Sequence, residues 1–315
     1  MQKIRLGISS CLLGEKVRYD GGHKLDRFLT ETLGKYVEYL GVCPEVECGM
    51  GVPREAMRLE GAPGSYRLVT VKTGRDLTGQ MLNWANERVR ELDGENLCGF
   101  IFKGGSPSSG MERVKVYEGN HPARRIGTGL FASVFMKHFP LLPVEDDGRL
   151  NDPILRENFI ERLFVFKRWR EMLENGEKLN GLIRFHARHK LLIMAHSPGH
   201  LRLLGKLLAE AKGRELNSVF AQYGKLLMEA LKLKATVKKN TNVLQHMMGY
   251  FKKQLSGPDK LELIEVIGHY HNGVIPLIVP NTLIGHYARK YGRQYLQEQY
   301  YLSPHPLELR LRSHV

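Results

Sequence analysis

Apolar positions in the first half of the chain fall into short continuous runs, separated by stretches rich in glycine, proline and serine. The runs at 3–9, 37–42 and 98–103 read as buried strands, and 66–72 alternates as a half-buried strand does. Between them, 23–36, 76–92 and 129–138 carry helical periodicity, with Leu77, Met81, Trp84, Val89 and Leu92 on or near one face, and 141–144 is a last short strand. Alternating strands and helices predict an α/β fold, a mostly parallel sheet flanked by helices. Ligands of such sheets bind beyond the carboxyl ends of the strands. The loops at 9–22, 43–56 and 104–112 are therefore expected to converge at one edge.

The pattern changes after an acidic junction at 143–152. Asp152 can cap a helix and Pro153 suits its first turn. Helical periodicity then runs through 154–174, 181–195, 201–211, 215–230, 242–254, 260–271 and 275–289. The expected organisation is an α/β domain over 1–148 followed by an all-α domain over 149–315.

Charge separates the two parts further. The 315 residues carry a net charge of +14, of which +2 lies in 1–150 and +12 in 151–315, together with ten of the thirteen histidines. A near-neutral part joined to a basic one suggests that the first does chemistry while the second holds a polyanion. Candidate phosphate contacts are Arg184, Arg188 and Lys190, the run Lys232, Lys234, Lys238 and Lys239, and Lys252 and Lys253 beside Tyr250 and Phe251, whose rings suit stacking on bases. His186, His189, His196 and His200 have metal-like spacing, but packing at a helix interface is the better reading of His186. The amino-terminal run is too short and interrupted for a signal peptide, and no run of eighteen apolar residues occurs, so a cytoplasmic protein is expected.

Cysteine carries the candidate chemistry. Cys11 lies in Ser9-Ser10-Cys11-Leu12-Leu13-Gly14, and Cys43 and Cys48 bracket Pro44-Glu45-Val46-Glu47, each group in a loop after an expected strand. Four cysteines in such a chain argue against a disulfide framework. One close pair plus a distant single is not the two-pair spacing of a structural zinc site, and thiolates select soft metal centres. Cys11, Cys43 and Cys48 would leave a coordination position open. Cys98 begins an apolar strand and reads as a small hydrophobe. Glu45, between two of the cysteines, is a candidate acid–base. The hydroxyls and turn amides of Ser106-Pro107-Ser108-Ser109-Gly110 could hold a polar ring or an anion.

These motifs resemble the thiouracil desulfidase family: Ser-Ser-Cys-Leu-Leu-Gly, Arg18-Tyr19-Asp20-Gly21, Cys43-Pro44-Glu45 followed by Gly51-Val52-Pro53-Arg54, and Phe102-Lys103 before the serine loop. The second half resembles the helical domain fused to that family in many bacteria, through Gly148-Arg149-Leu150-Asn151-Asp152, Phe185-His186-Ala187-Arg188-His189-Lys190 and Asn240-Thr241-Asn242. The resemblance implies a [4Fe–4S] cluster on three cysteines, whose open iron binds the thiocarbonyl sulfur of a thiolated uracil. For the two-domain form it implies non-redox conversion of 4-thiouridine in transfer RNA to uridine. Free thiouracil as substrate, and a non-enzymatic RNA-binding protein with a structural metal, are the alternatives.

Carried over by residue, the resemblance makes Cys11 and Cys43 cluster ligands, Glu45 the acid–base and Ser106 the serine beside the substrate. Ser10, Asp20, Arg54, Lys103 and Ser109, from the same motifs, are the candidate substrate-binding residues. Many members carry cysteine where this chain has Ser109; Cys48 is the expected third ligand, ahead of Cys98.

Overall fold

The computed structural model describes residues 3–119, 121–176 and 178–314; the first two residues of the amino-terminal run lie outside them. The chain divides into two compact units, Met1–Asp152 and Pro153–Val315.

The first unit contains two sheets. Strands β1 (Ile4–Ser9), β2 (Val37–Val42), β5 (Phe100–Phe102) and β8 (Val144–Asp146) form a parallel sheet in the order β2-β1-β5-β8. The second sheet joins β3 (Met57–Glu60), β4 (Arg67–Thr70), β6 (Val114–Tyr117) and β7 (Arg124–Gly127) in the order β4-β3-β6-β7. The sequence pattern anticipated only β4 of this group, within the strand expected at 66–72. Strands of four residues are too short for period-two alternation to stand out. Residues 23–36 also depart from expectation: in place of a regular helix, Phe28–Thr32 makes a wide π turn and Leu33–Lys35 a tight one, burying Leu29 and Leu33.

Helices α1 (Pro44–Glu47), α2 (Thr78–Asp93) and α3 (Leu130–His138) complete the unit. Ile4, Leu6 and Ile8 of β1 are buried with an aromatic group in which the rings of Phe100 and Phe135 lie 4.7 Å apart and those of Phe100 and Phe131 5.8 Å. Gly7 is required here, because a Cβ would stand 2.3 Å from the Phe100 ring.

The second unit is helical, with α4 (Pro153–Glu174), α5 (Leu179–His196), α6 (Pro198–Ala209), α7 (Leu216–Lys232), α8 (Val237–Met248), α9 (Gly257–His271), α10 (Ile278–Lys290) and the short α11 (Gln294–Gln297). Trp169 stacks on Tyr223 with ring centroids 5.4 Å apart. A buried ionic group lies within this unit: Arg312 donates to Glu157 at 2.9 Å and Glu161 at 2.5 Å, and His196 meets Glu161 at 3.0 Å. Among the described residues no helix is long and apolar enough to cross a membrane.

Candidate active site

Strand register assembles the site. Ser9 of β1 is paired with Val42 of β2, and Ile8 with Ile101 of β5, so Cys11, Cys43 and Lys103 all lie just past the carboxyl edge. Chain order departs from β1 to β2 on one side and returns to β5 on the other, which leaves a crevice between the loops that leave these strands. A cavity of about 430 Å³ occupies it, lined by Ser10, Cys11, Cys43, Glu45, Arg54, Lys103, Ser106 and Ser109 among others. The expected convergence of the three loops is present.

Local chemistry fixes each side chain. Cys43 stands before α1, with Pro44 in the first turn, and its amide donates to Glu47 Oε1 at 2.8 Å. That turn holds Glu45 beside the Cys43 thiol, which donates to Glu45 Oε2 at 3.5 Å. Ser108 Oγ donates to Glu45 Oε1 at 2.5 Å and lies 2.9 Å from Ser106 Oγ. Arg54 approaches Glu45 Oε2 at 3.8 Å and is itself held by the carbonyls of Val17 at 3.0 Å and Gly51 at 3.3 Å. Lys103 bonds Asp147 at 2.9 Å, while its amide donates to Ser9 Oγ at 2.9 Å and so ties β5 to β1. The amide of Gly104 donates to the same Asp147 carboxylate at 2.7 Å.

Sequence reasoning missed Ser108 and Asp147. Ser108 is fully buried inside the motif that supplied Ser106 and Ser109, and nothing local distinguishes its inward direction. Asp147 belongs to the acidic junction, which reads along the chain as a linker.

The thiols are desolvated. Burial, opposed by the Lys103 charge, pushes Cys11 up to about 11; burial, with the Glu45 carboxylate, pushes Cys43 up to about 12 and Cys48 up to about 11. Cys48 does not line the cavity. It ends α1, with its thiol 3.4 Å from the Glu45 carbonyl, and Ser109 stands in the wall instead, almost completely buried. The donors fit a thiolate-held cluster through Cys11 and Cys43 in the wall, with Cys48 one short turn away. Cys98 cannot join them: its amide bonds the Arg5 carbonyl, four residues before the end of β1, roughly 13 Å from the edge at ~3.3 Å per residue.

Asp20 is exposed and outside the cavity wall, where it closes a turn by accepting from the Gly22 amide at 3.0 Å.

Two sequence profiles match the chain: that of the 2-thiouracil desulfurase family over residues 6–147, and that of DUF1722, a domain of unknown function, over 190–306. This chain belongs to the thiouracil desulfidase family. It is the two-domain form, with the DUF1722 unit following the desulfurase unit. An uncharacterized protein of Escherichia coli K12, YbgA, is 30% identical over 152 residues, covering 48% of this chain and 90% of its own. YbbK of Bacillus subtilis, also uncharacterized, is 27% identical over 133 residues, covering 40% and 86%. The solved structure of the [4Fe-4S]-dependent thiouracil desulfidase TudS shares 28% identity over 48% of this chain and 95% of that one, with a TM-score of 0.40.

In the DUF1722-containing unit, the candidate RNA contacts Lys238, Lys252 and Lys253 are exposed, as is Arg188, and Lys190 is half-buried. Lys239 is committed to the backbone, donating to the carbonyls of His196 at 2.6 Å and Lys234 at 3.0 Å. The four spaced histidines have separate partners: His186 meets Tyr223, His189 meets Phe185 and Arg168, His196 meets Glu161, and His200 meets Ser197.

Proposed function

We propose that this protein removes sulfur from 4-thiouridine in transfer RNA, giving uridine and hydrosulfide without net redox change. The observation that carries the reading is the single cavity into which three loops bring two thiols, a carboxylate and a serine hydroxyl. The basic helical half, with a net charge of +12 over 151–315, supports a polyanionic substrate over a free base.

Cys11, Cys43 and Cys48 would hold the [4Fe–4S] cluster. An iron left without a protein ligand supplies a soft Lewis acid that favours thiocarbonyl sulfur over carbonyl oxygen. Glu45 takes a proton from the water that adds at C4 of the ring, and returns it as the carbon–sulfur bond breaks. Ser108 holds Glu45 by donating to Oε1, so that Oε2, beside the Cys43 thiol and Arg54, is the oxygen that takes the proton. Ser106 and Lys103 line the same cavity and are suited to bonding the oxygen and nitrogen edge of the pyrimidine. Arg54 places a positive charge 3.8 Å from Glu45 Oε2 and so helps to hold that carboxylate in the cavity.

The test is anaerobic incubation of the cluster-reconstituted protein with bulk bacterial transfer RNA, followed by nucleoside analysis. Loss of 4-thiouridine with matching gain of uridine is expected. Unchanged 4-thiouridine alongside consumption of free 4-thiouracil would transfer the assignment to the free base. A colourless protein containing zinc would end the enzymatic reading.

A further inference from the structure

We propose that the helical unit carries a built phosphate pocket, formed around Arg168, Arg188 and Tyr300, that holds a backbone phosphate of the RNA substrate. This rests on the transfer RNA reading above for its occupant, and on the following geometry for its existence.

A cavity of about 570 Å³ is lined by Arg168, Arg184, Arg188 and Tyr300. The guanidinium of Arg168 lies 4.0 Å from the centre of the Tyr300 ring and that of Arg188 4.9 Å from it. Tyr300 is tied in turn to the carbonyl of Arg188 through its own amide at 3.0 Å. One ring therefore orients two cations.

Every partner of Arg168 is neutral. Its Nε donates to His189 Nε2 at 3.1 Å, and its Nη1 to the carbonyl of Pro304 at 3.1 Å. His189 can accept because its Nδ1 lies 2.8 Å from the Phe185 carbonyl and carries the proton. Burial, reinforced by the Arg168 charge, keeps that imidazole uncharged. Nη2 of Arg168 is buried with no hydrogen-bond partner. Among the described residues, neither Arg168 nor Arg188 forms an ion pair. Desolvation lowers Arg168 to about 10, outweighing the more distant attraction of Glu161 and Glu171, neither of which is in ion-pair contact with it among the described residues.

A fixed guanidinium with an unused donor and no carboxylate bonded to it is costly in isolation and well suited to an oxyanion. Glu171 and Glu298 also line the cavity, but Lys167 stands 3.5 Å from Glu171, and Glu298 accepts from Gln294 at 2.7 Å. Arginine forks match phosphate oxygens, and a phosphodiester brings one negative charge without requiring a sequence-specific base contact.

The experiment measures binding of bulk transfer RNA to the full-length reconstituted protein by fluorescence anisotropy across a range of salt. The proteins compared are wild type, Arg188→Ala, Arg168→Lys, and Lys206→Glu as a remote control. Arg188→Ala is expected to weaken binding several-fold and to reduce the slope of log K against log salt by about 0.7–0.9. Arg168→Lys keeps the charge and loses the fork, so affinity should fall with the slope retained. Circular dichroism establishes that both variants fold; Arg188 is exposed, so its removal leaves the core intact.

Equal affinities and slopes in all four proteins overturn the pocket. Calorimetric binding of inorganic phosphate that both arginine changes abolish, with transfer RNA binding unaltered, overturns RNA as the occupant. Conversion of 4-thiouridine by wild type together with equal binding by the variants would sink only this pocket. A wild type that neither binds nor converts transfer RNA would sink the substrate reading as well.

Discussion

At the scale of single residues, the cavity contains a short relay: Ser106 beside Ser108, Ser108 donating to Glu45, and Glu45 beside the Cys43 thiol. Glu45→Gln should lower turnover by about 10²–10⁴-fold, the range for loss of a positioned acid–base, with the cluster absorbance retained. In the proposed cluster site, Cys48 and Ser109 are the two candidates for a third ligand. Cys48 has the softer donor, whereas Ser109 already stands in the wall. Iron analysis of separate Cys48→Ala, Ser109→Ala and Cys98→Ala proteins distinguishes them, and only the Cys48 change is expected to lose cluster. Iron loss in the serine variant instead would assign an oxygen ligand. Glu45 and both wall cysteines could be nominated from loop motifs because their chemistry is local. The role of Ser108 could not, since it depends on a carboxylate 63 positions away in the chain.

At the scale of elements, the serine loop rests on the start of α3. The amides of Leu130 and Ala132 donate to the carbonyls of Pro107 and Ser108 at 3.2 Å each, using helix donors that have no partner within the helix. Gly129 makes this contact possible, because a Cβ would stand 2.4 Å from the Ser108 carbonyl oxygen. Gly129→Ala should therefore displace the loop, lowering stability by about 1–3 kcal/mol and reducing turnover beyond what stability explains. Thermal unfolding paired with activity of the remaining folded protein checks this. The long helices of the second unit could be read from periodicity because each presents several turns of amphipathic pattern. The strands β3, β6 and β7 could not. Each has only four residues, and the pairing that joins the two hairpins, such as Leu59 with Val116, links segments far apart in the chain.

At the scale of the whole molecule, charge and titration divide unevenly between the halves. Burial pushes His186 and His305 down to about 4, and His189 well below its ordinary range. As the pH falls from 6.5 toward 4, the unfolded chain binds protons that these imidazoles refuse, so stability falls on acidification. Burial pushes Glu157 up to about 7, opposing the trend by one proton between pH 4.5 and 7. Denaturant titrations followed by far-ultraviolet circular dichroism should show the midpoint dropping over that window. His186→Gln should remove about one proton from the slope. By itself, the sequence determined the division into α/β and helical parts, the asymmetry of charge, and the loops that bear the chemistry, because periodicity, composition and turn residues act over short stretches. Tertiary structure alone decided that Ser109 stands in the cavity wall and Cys48 outside it, that Asp147 restrains Lys103, and that Nη2 of Arg168 is buried without a hydrogen-bond partner among the described residues. Those facts depend on which side chains distant segments bring together, and hydrophobic pattern constrains the face of an element far more tightly than its polar neighbours.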